Sequence, residues 1–335
     1  MIQNLPIPTV YRRTPIYAIG SMFIAFFVFL LYPFQIHAKG NPNPKMVDLE
    51  NQLIQISPLI IAGESDSAKF EAAEWVFAKL QEELIKPESF EFPFDLLRYT
   101  TVAIASNPNS NVRIFSFNVI QKSGVFVHYG IIQKKGKKEN KIWALKDTSS
   151  VLPNNYQEQI IEHPQWVGAL YYQLIPIKKP YKDHFIILGF DGNNKNSNRS
   201  FLDVLWFEDG EPRWGKPLFR ESIEDPSAEN RWIWEYHKSV KLLLRYEMDR
   251  NLIVVDELGP PFPQAKGNFF YYIPTGDYSA FKPNKSGFWV LSPIDLTDFG
   301  QGEAPNVLKE RPLPTEPPIS EDNILKPDPN SPGGY

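Results

Sequence analysis

Four of the five histidines, a set of scattered carboxylates and a run of tryptophans are the side chains of this sequence that could do chemistry, and none sits in a recognised catalytic spacing. Of His128, His163, His184 and His237, three lie in or beside segments that alternate like strands, with Glu162 next to His163 and Asp183 next to His184. Two imidazoles and a carboxylate brought together by the fold would make a metal site. Scattered histidines without spacing rules are more often surface or satisfied core residues. The chain has no cysteine, which removes thiol nucleophiles, thiolate metal sites and disulfides together. It also lacks a G-x-S-x-G elbow, an H-E-x-x-H helix, a phosphate loop and a dinucleotide fingerprint.

Oxygen donors cluster once. Asp191, Asn193, Asn194 and Asn196 fall within six residues, and Asp203 follows in the next apolar segment, so calcium is the cation this set would take. The pattern departs from a calcium loop, because Lys195 interrupts the donors and no glutamate closes the loop. A hairpin turn is the competing reading. Trp214, Trp232, Trp234 and Tyr236 could form a flat platform for the apolar face of a sugar ring, or fill the core as large aromatics usually do. Glycoside hydrolysis would need two carboxylates on opposite sides of a cleft. Glu208, Asp209, Glu221, Glu224, Asp225, Glu235, Asp256 and Glu257 are available, but sequence does not pair them.

The elements that must position these groups are mostly strands. Residues 166–177, 184–190 and 201–207 are aromatic and β-branched runs, separated by a proline-containing segment and by the polar run Asp191-Gly-Asn-Asn-Lys-Asn-Ser-Asn198, and they predict an antiparallel meander. Alternation also predicts strands over 101–105, 112–120, 124–134 and 141–145, a strand over 232–236 with its three aromatics on one face, and a hairpin 240–246/252–258. Further strands are expected at 268–273 and 287–291, and a short helix at 155–162. Lys134, Lys135, Lys137 and Lys138 crowd one predicted hairpin tip, read as a solvated turn that discourages edge pairing, or as a contact for acidic polymers or lipid headgroups.

The clearest helix is 66–85, capped by Ser65 or Asp66 and stopped before Pro87. Phe70, Ala73, Trp75, Phe77, Leu80 and Leu84 form its apolar stripe. Residues 46–62 carry a helical spacing that turns strand-like after Pro58. These patterns predict an α+β fold, a single domain dominated by antiparallel sheet with one long N-terminal helix packed against it.

At the N-terminus, Arg12 and Arg13 precede the apolar run 16–34 and the small-residue context Ile36-His37-Ala38. Residues 1–38 therefore read as a secretory signal peptide, or, since about 20 apolar residues span a bilayer, as an uncleaved anchor through residues 14–34. Both place the body outside the cytoplasm. Residues 39–63 read as linker and lead-in, 64–303 as the globular part, and 304–335, with eight prolines in 32 residues, as a disordered tail. Without the first 38 residues the chain holds 33 basic and 39 acidic residues, a net charge of −6. That excludes nucleic acid as a partner.

The runs W-x-G-A-L-Y-Y (166–172), I-P-I-K (175–178), L-G-F-D-G-N-N (188–194), F-L-D-V-L-W-F (201–207) and P-R-W-G (212–215) resemble those of a group of exported β-rich proteins of Bacteroidota-type bacteria. The resemblance covers residues 65–300. It implies an envelope location and supplies no activity and no site residues. The expected function is a non-catalytic binding or accessory role in the cell envelope, with an envelope protein or a surface glycan as partner and no cofactor. Two alternatives stand beside it: a glycan-directed hydrolase with paired carboxylates in an aromatic-lined cleft, and an assembly component docking through its proline-rich tail.

Overall fold

The computed structural model describes residues 43–151, 155–178, 181 and 183–294, all within Pro42–Tyr335, one of the two units into which the chain divides. The proposed signal or anchor and the tail 304–335 lie outside the described residues.

Helices come first. Helix α1 (Pro44–Ile56) starts at Asn43, whose side chain accepts from the Lys45 amide, and has proline in its first turn, where the missing N–H costs nothing. Helix α2 (Leu59–Ala62) follows, so the segment after Pro58 is helical and not strand-like. Helix α3 (Asp66–Leu84) is capped by Ser65 Oγ accepting from the Ala68 amide, and α4 (Pro87–Glu91) restarts at Pro87. α3 buries Ala72, Ala73, Val76, Leu80 and Leu84. Trp75, expected in that stripe, is instead 40% exposed, because the packed face is centred on Ala73, Val76 and Leu80 and leaves position 75 on the far side.

The rest is β-rich and forms three mostly antiparallel sheets, where one dominant sheet was expected. β1 (Ala103–Ser106), β2 (Val112–Ile120), β3 (Phe126–Lys134) and β4 (Lys141–Asp147) form a meander. Two short strands follow, β5 (Ile161–Glu162) and β6 (Gln165–Trp166), preceded by a 3-10 turn over Tyr156–Glu158 in place of the expected helix. β6 closes the first sheet by pairing parallel with β4, giving the order β1-β2-β3-β4-β6.

The central meander is as predicted: β7 (Leu170–Pro176), β8 (His184–Asp191) and β9 (Ser197–Glu208) pair antiparallel. β10 (Glu211–Trp214) extends this second sheet and in turn pairs with β5. Then come β11 (Phe219–Arg220) and β12 (Trp232–His237), the latter lying along β9. β13 (Leu244–Glu247), β14 (Leu252–Gly259), β15 (Ile273–Pro283) and β16 (Trp289–Ile294) build the third sheet, ordered β11-β16-β15-β14-β13 with β11 and β16 parallel. Residues 240–243, expected in the hairpin, precede its first strand, and residues 269–271 form a 3-10 turn.

The packing is layered. The helices cover one face of the first sheet through Met46, Leu53, Val76 and Leu80 against Phe115, Phe117 and Ile131. A second core joins the first and second sheets through Ile114, Ile132, Trp166, Tyr171, Ile187, Phe201 and Leu205. A third, with Ile186, Leu188, Leu202 and Val204 against Ile253, Val255 and Phe281, joins the second sheet to the third. Alternate residues of β8 and β9 thus enter opposite cores, which is why these strands read as unbroken apolar runs.

A buried arginine stitches the helical layer to the first sheet. Arg113 donates to Gln133 Oε1 and to the carbonyls of Phe92 and Ser89, beneath the rings of Phe90, Phe94 and Phe115. Burial pulls its guanidinium down to about 9.

Candidate functional site

His128 is the histidine that the fold encloses. It lies on β3 with Gly130 and Ile132, pointing toward the second core. Asp147, at the end of β4, meets it from the same sheet: Oδ2 accepts from the His128 amide at 2.7 Å and lies 3.1 Å from Nδ1. Asp191, at the end of β8 in the second sheet, places Oδ1 3.3 Å from Nε2, an ion-pair distance outside hydrogen-bond alignment. The three side chains are 1%, 11% and 7% exposed. Trp166 stands edge-on to the imidazole at 6.1 Å between ring centres.

Burial by itself would push the His128 imidazole down, but the two carboxylates outweigh it and hold the group at about 9. Burial likewise pushes Asp147 up, and His128 with Ser149 brings it below the usual carboxylate range. Closed between two acids, the imidazole is held toward its protonated form. What this arrangement does is tie the first sheet to the second.

Asp191 and its neighbours, the candidate calcium ligands, bond groups of the protein itself. Asp191 Oδ1 accepts from the Asn193 amide at 2.8 Å, and Asn194 Oδ1 accepts from the amides of Asn196 and Ser197. Asn193 donates to Ser197 Oγ and to Glu235 Oε1, and Glu235 in turn holds Arg199. Asp203 is four rungs along the ladder, since Arg199 pairs with Asp191 whereas Asp203 pairs with Ile187. It is completely buried and bonds Arg231, also completely buried, at 3.0 Å. The Asp191 and Asn194 oxygens accept from amides of the turn and Asp203 binds Arg231, so sequence proximity does not become convergence of these three. Among the described residues no group of three or more histidine or acidic side chains is arranged to hold a metal ion.

Nor do the four aromatics make an exposed platform. Trp214 is fully buried and stacks on Tyr171 at 5.4 Å. Trp232 and Trp234 pack on Phe281 at 5.2 and 6.2 Å in the third core, and the Tyr236 hydroxyl meets Ser200 Oγ at 3.0 Å inside. The predicted alternation of β12 holds, with Ile233 entering the opposite core. The face is covered because the third sheet lies on it. Of the scattered acids, Glu208 pairs with Arg213, Glu235 with Arg199, Glu257 with Ser279, Asp225 with Ser227, and Asp256 accepts from the Leu243 amide. The lysine-rich tip is partly tied down: Lys134 lies over Phe207 and near Asp183, and Lys135 pairs with Glu91.

The surface feature that sequence did not suggest is a hollow of about 290 Å³ lined by Ile85, Glu139, Asn140, Lys141, Ile142, Trp143 and Glu211. Three elements distant in the chain build it: the end of α3, the entry to β4, and β10. Asn140 fixes the junction by donating to the Leu84 and Lys86 carbonyls, while its amide donates to the Ile85 carbonyl. Trp143 Nε1 donates to Glu211 Oε2 at 2.9 Å, linking the first sheet to the second. His163 donates through Nε2 to the Ala144 carbonyl and turns Nδ1 toward Glu211 at 3.8 Å.

No family model, curated protein or solved structure matches the chain.

Proposed function

We propose that this chain is an exported cell-envelope protein, a single α+β domain with a non-catalytic binding or accessory role. The observation that carries this reading is the closure of its charged clusters. His128 sits between Asp147 and Asp191 at 1% exposure, and Arg231 with Asp203 is sealed in the second core. The residues with most chemical capacity hold sheets together and face no cleft. Export is supported by Arg12 and Arg13 ahead of the apolar run 16–34. The partner would be a surface glycan or an envelope protein.

The hydrolase reading keeps one observation in its favour, since Glu139 and Glu211 both line a hollow that includes Trp143. Against it, the Glu211 side chain is 60% exposed and its carboxylate accepts from Trp143, so the enclosure that general-acid catalysis draws on is missing. The test is incubation of the purified protein with envelope polysaccharides and analysis for new reducing ends. None are expected; their appearance, lost in Glu211→Gln, would replace this reading with the hydrolase. Docking through the tail is tested separately by deleting residues 304–335, which would abolish association with an envelope partner only if the tail carries it.

A further inference from the structure

We propose that residues 295–303, the chain that follows β16, fold back over the outer face of the third sheet and cover its apolar side chains. The inner face of that sheet carries Ile253, Val255 and Phe281 into the third core. The alternate residues point the other way. Leu252, Val254, Ala280 and Ile294 belong to a separate cluster there and are 7%, 1%, 0% and 8% exposed, with Val254 directly opposite Ala280. On a sheet face that meets water, lateral neighbours shield a side chain only from the side, so exposures this low belong to a face with something packed over it. Among the described residues, that cluster takes nothing from outside the sheet except Leu243, which leads into β13.

The chain itself selects the occupant. It leaves β16 at Ile294, a member of the cluster, and the alternation that turns Ile294 outward falls next on Leu296. Phe299 follows, so the segment supplies two large apolar side chains. Three strand spacings separate β16 from β13, about 14 Å, whereas the segment fully extended reaches about 30 Å. It can therefore cross the whole cluster. The segment also holds three acids, Asp295, Asp298 and Glu303, and no lysine or arginine, while Lys282 and Arg220 stand at one end of the same face, each in register with Val290. Opposite charges at the rim favour this lie of the segment. A separate partner would meet the face at its own concentration, but a segment attached to Ile294 meets it at an effective concentration in the millimolar range.

The experiment uses the full chain, which has no cysteine of its own. Single thiols are introduced as Val254→Cys, Phe299→Cys and Ser331→Cys, and their reaction with N-ethylmaleimide is timed under native conditions. Val254→Cys and Phe299→Cys are expected to react at least about tenfold more slowly than Ser331→Cys in the proline-rich tail. Adding Leu296→Ser to Val254→Cys should speed its reaction at least about tenfold, while Val76→Cys in the helical layer, carrying the same Leu296→Ser, stays protected. Phe299→Cys reacting as fast as Ser331→Cys would overturn the proposal. So would a Val254→Cys rate that Leu296→Ser leaves unchanged, since another group would then cover the face. Protection of Val254→Cys that fades on dilution would assign the face to a second copy of the chain instead. Opening of Val76→Cys together with Val254→Cys would show that Leu296 supports the fold as a whole and not this face, which overturns the proposal as well.

Discussion

Gly168 rests directly against His128. A β-carbon at position 168 would stand 2.9 Å from His128 Nδ1 and 2.7 Å from Asp147 Oδ1, and the backbone there has φ +71. This is the point where the chain leaves β6 in the first sheet for β7 in the second, so the third residue of W-x-G-A-L-Y-Y is a glycine on two independent grounds. Gly168→Ala is expected to cost at least about 2 kcal/mol, from the left-handed backbone and the forced displacement of the ion cluster. Urea unfolding reads this directly, and a loss below about 0.5 kcal/mol would refute the packing described.

The His128 cluster sets a pH dependence. Its folded value, about 9, lies above the ordinary 6.5, so its contribution is fully present below pH 6.5 and is lost as pH rises through 9. At about 1.4 kcal/mol per pH unit the contribution is on the order of 3 kcal/mol. The stability gap between the native protein and His128→Gln should therefore shrink between pH 6.5 and 9. A gap that stays constant over that range would show that the imidazole carries no charge in the fold.

Arg231 and Asp203 are expected to behave as a pair. Burial pushes the Asp203 carboxyl up, and Arg231 opposes that shift. Arg231→Leu leaves a sealed carboxylate without its cation and should cost about 3–5 kcal/mol. The double variant Arg231→Leu/Asp203→Leu should recover more than half of that loss in chemical denaturation. Simple addition of the two single losses would mean that the residues do not interact.

Trp214 and Trp75 separate core from surface. Trp214→Ala removes a fully buried ring stacked on Tyr171 and should cost about 3–5 kcal/mol. Trp75→Ala, on the solvent side of α3, should cost less than about 1 kcal/mol. Comparable thermal shifts for the two would contradict the layer assignment.

Much of the fold was legible in local pattern. Ser65 and Pro87 bracket α3, and the Asp191–Asn198 turn between two apolar runs marks β8 and β9. What local pattern cannot carry is pairing between distant segments. Three sheets arise because β5 joins β10, β6 joins β4 and β11 joins β16, and none of these short strands has a signal of its own. The His128 cluster was hidden for the same reason, as its partners lie 19 and 63 residues further along the chain. The one available hint was a polar ring at an inward position of the run Phe126-Val-His-Tyr-Gly-Ile-Ile132. The Asp191–Asn198 run left hairpin turn and calcium loop both open, because sequence does not show that Asp191 and Asn194 accept from the amides of their own turn. For the tryptophans the sequence left platform and core both open, because a strand shows its alternation but not what covers each face.

The order in which the polypeptide is made matters for the third sheet. β16 is the last described strand in sequence but second in its sheet, and Phe219 of β11 pairs with Trp289, 70 residues later. At about 5–20 residues per second, a growing chain would hold Leu218 and Phe219 uncovered for about 4–14 s before their neighbour is synthesised. During that interval the half-built sheet presents a bare apolar edge, so a holding chaperone would have its strongest claim on the nascent protein there.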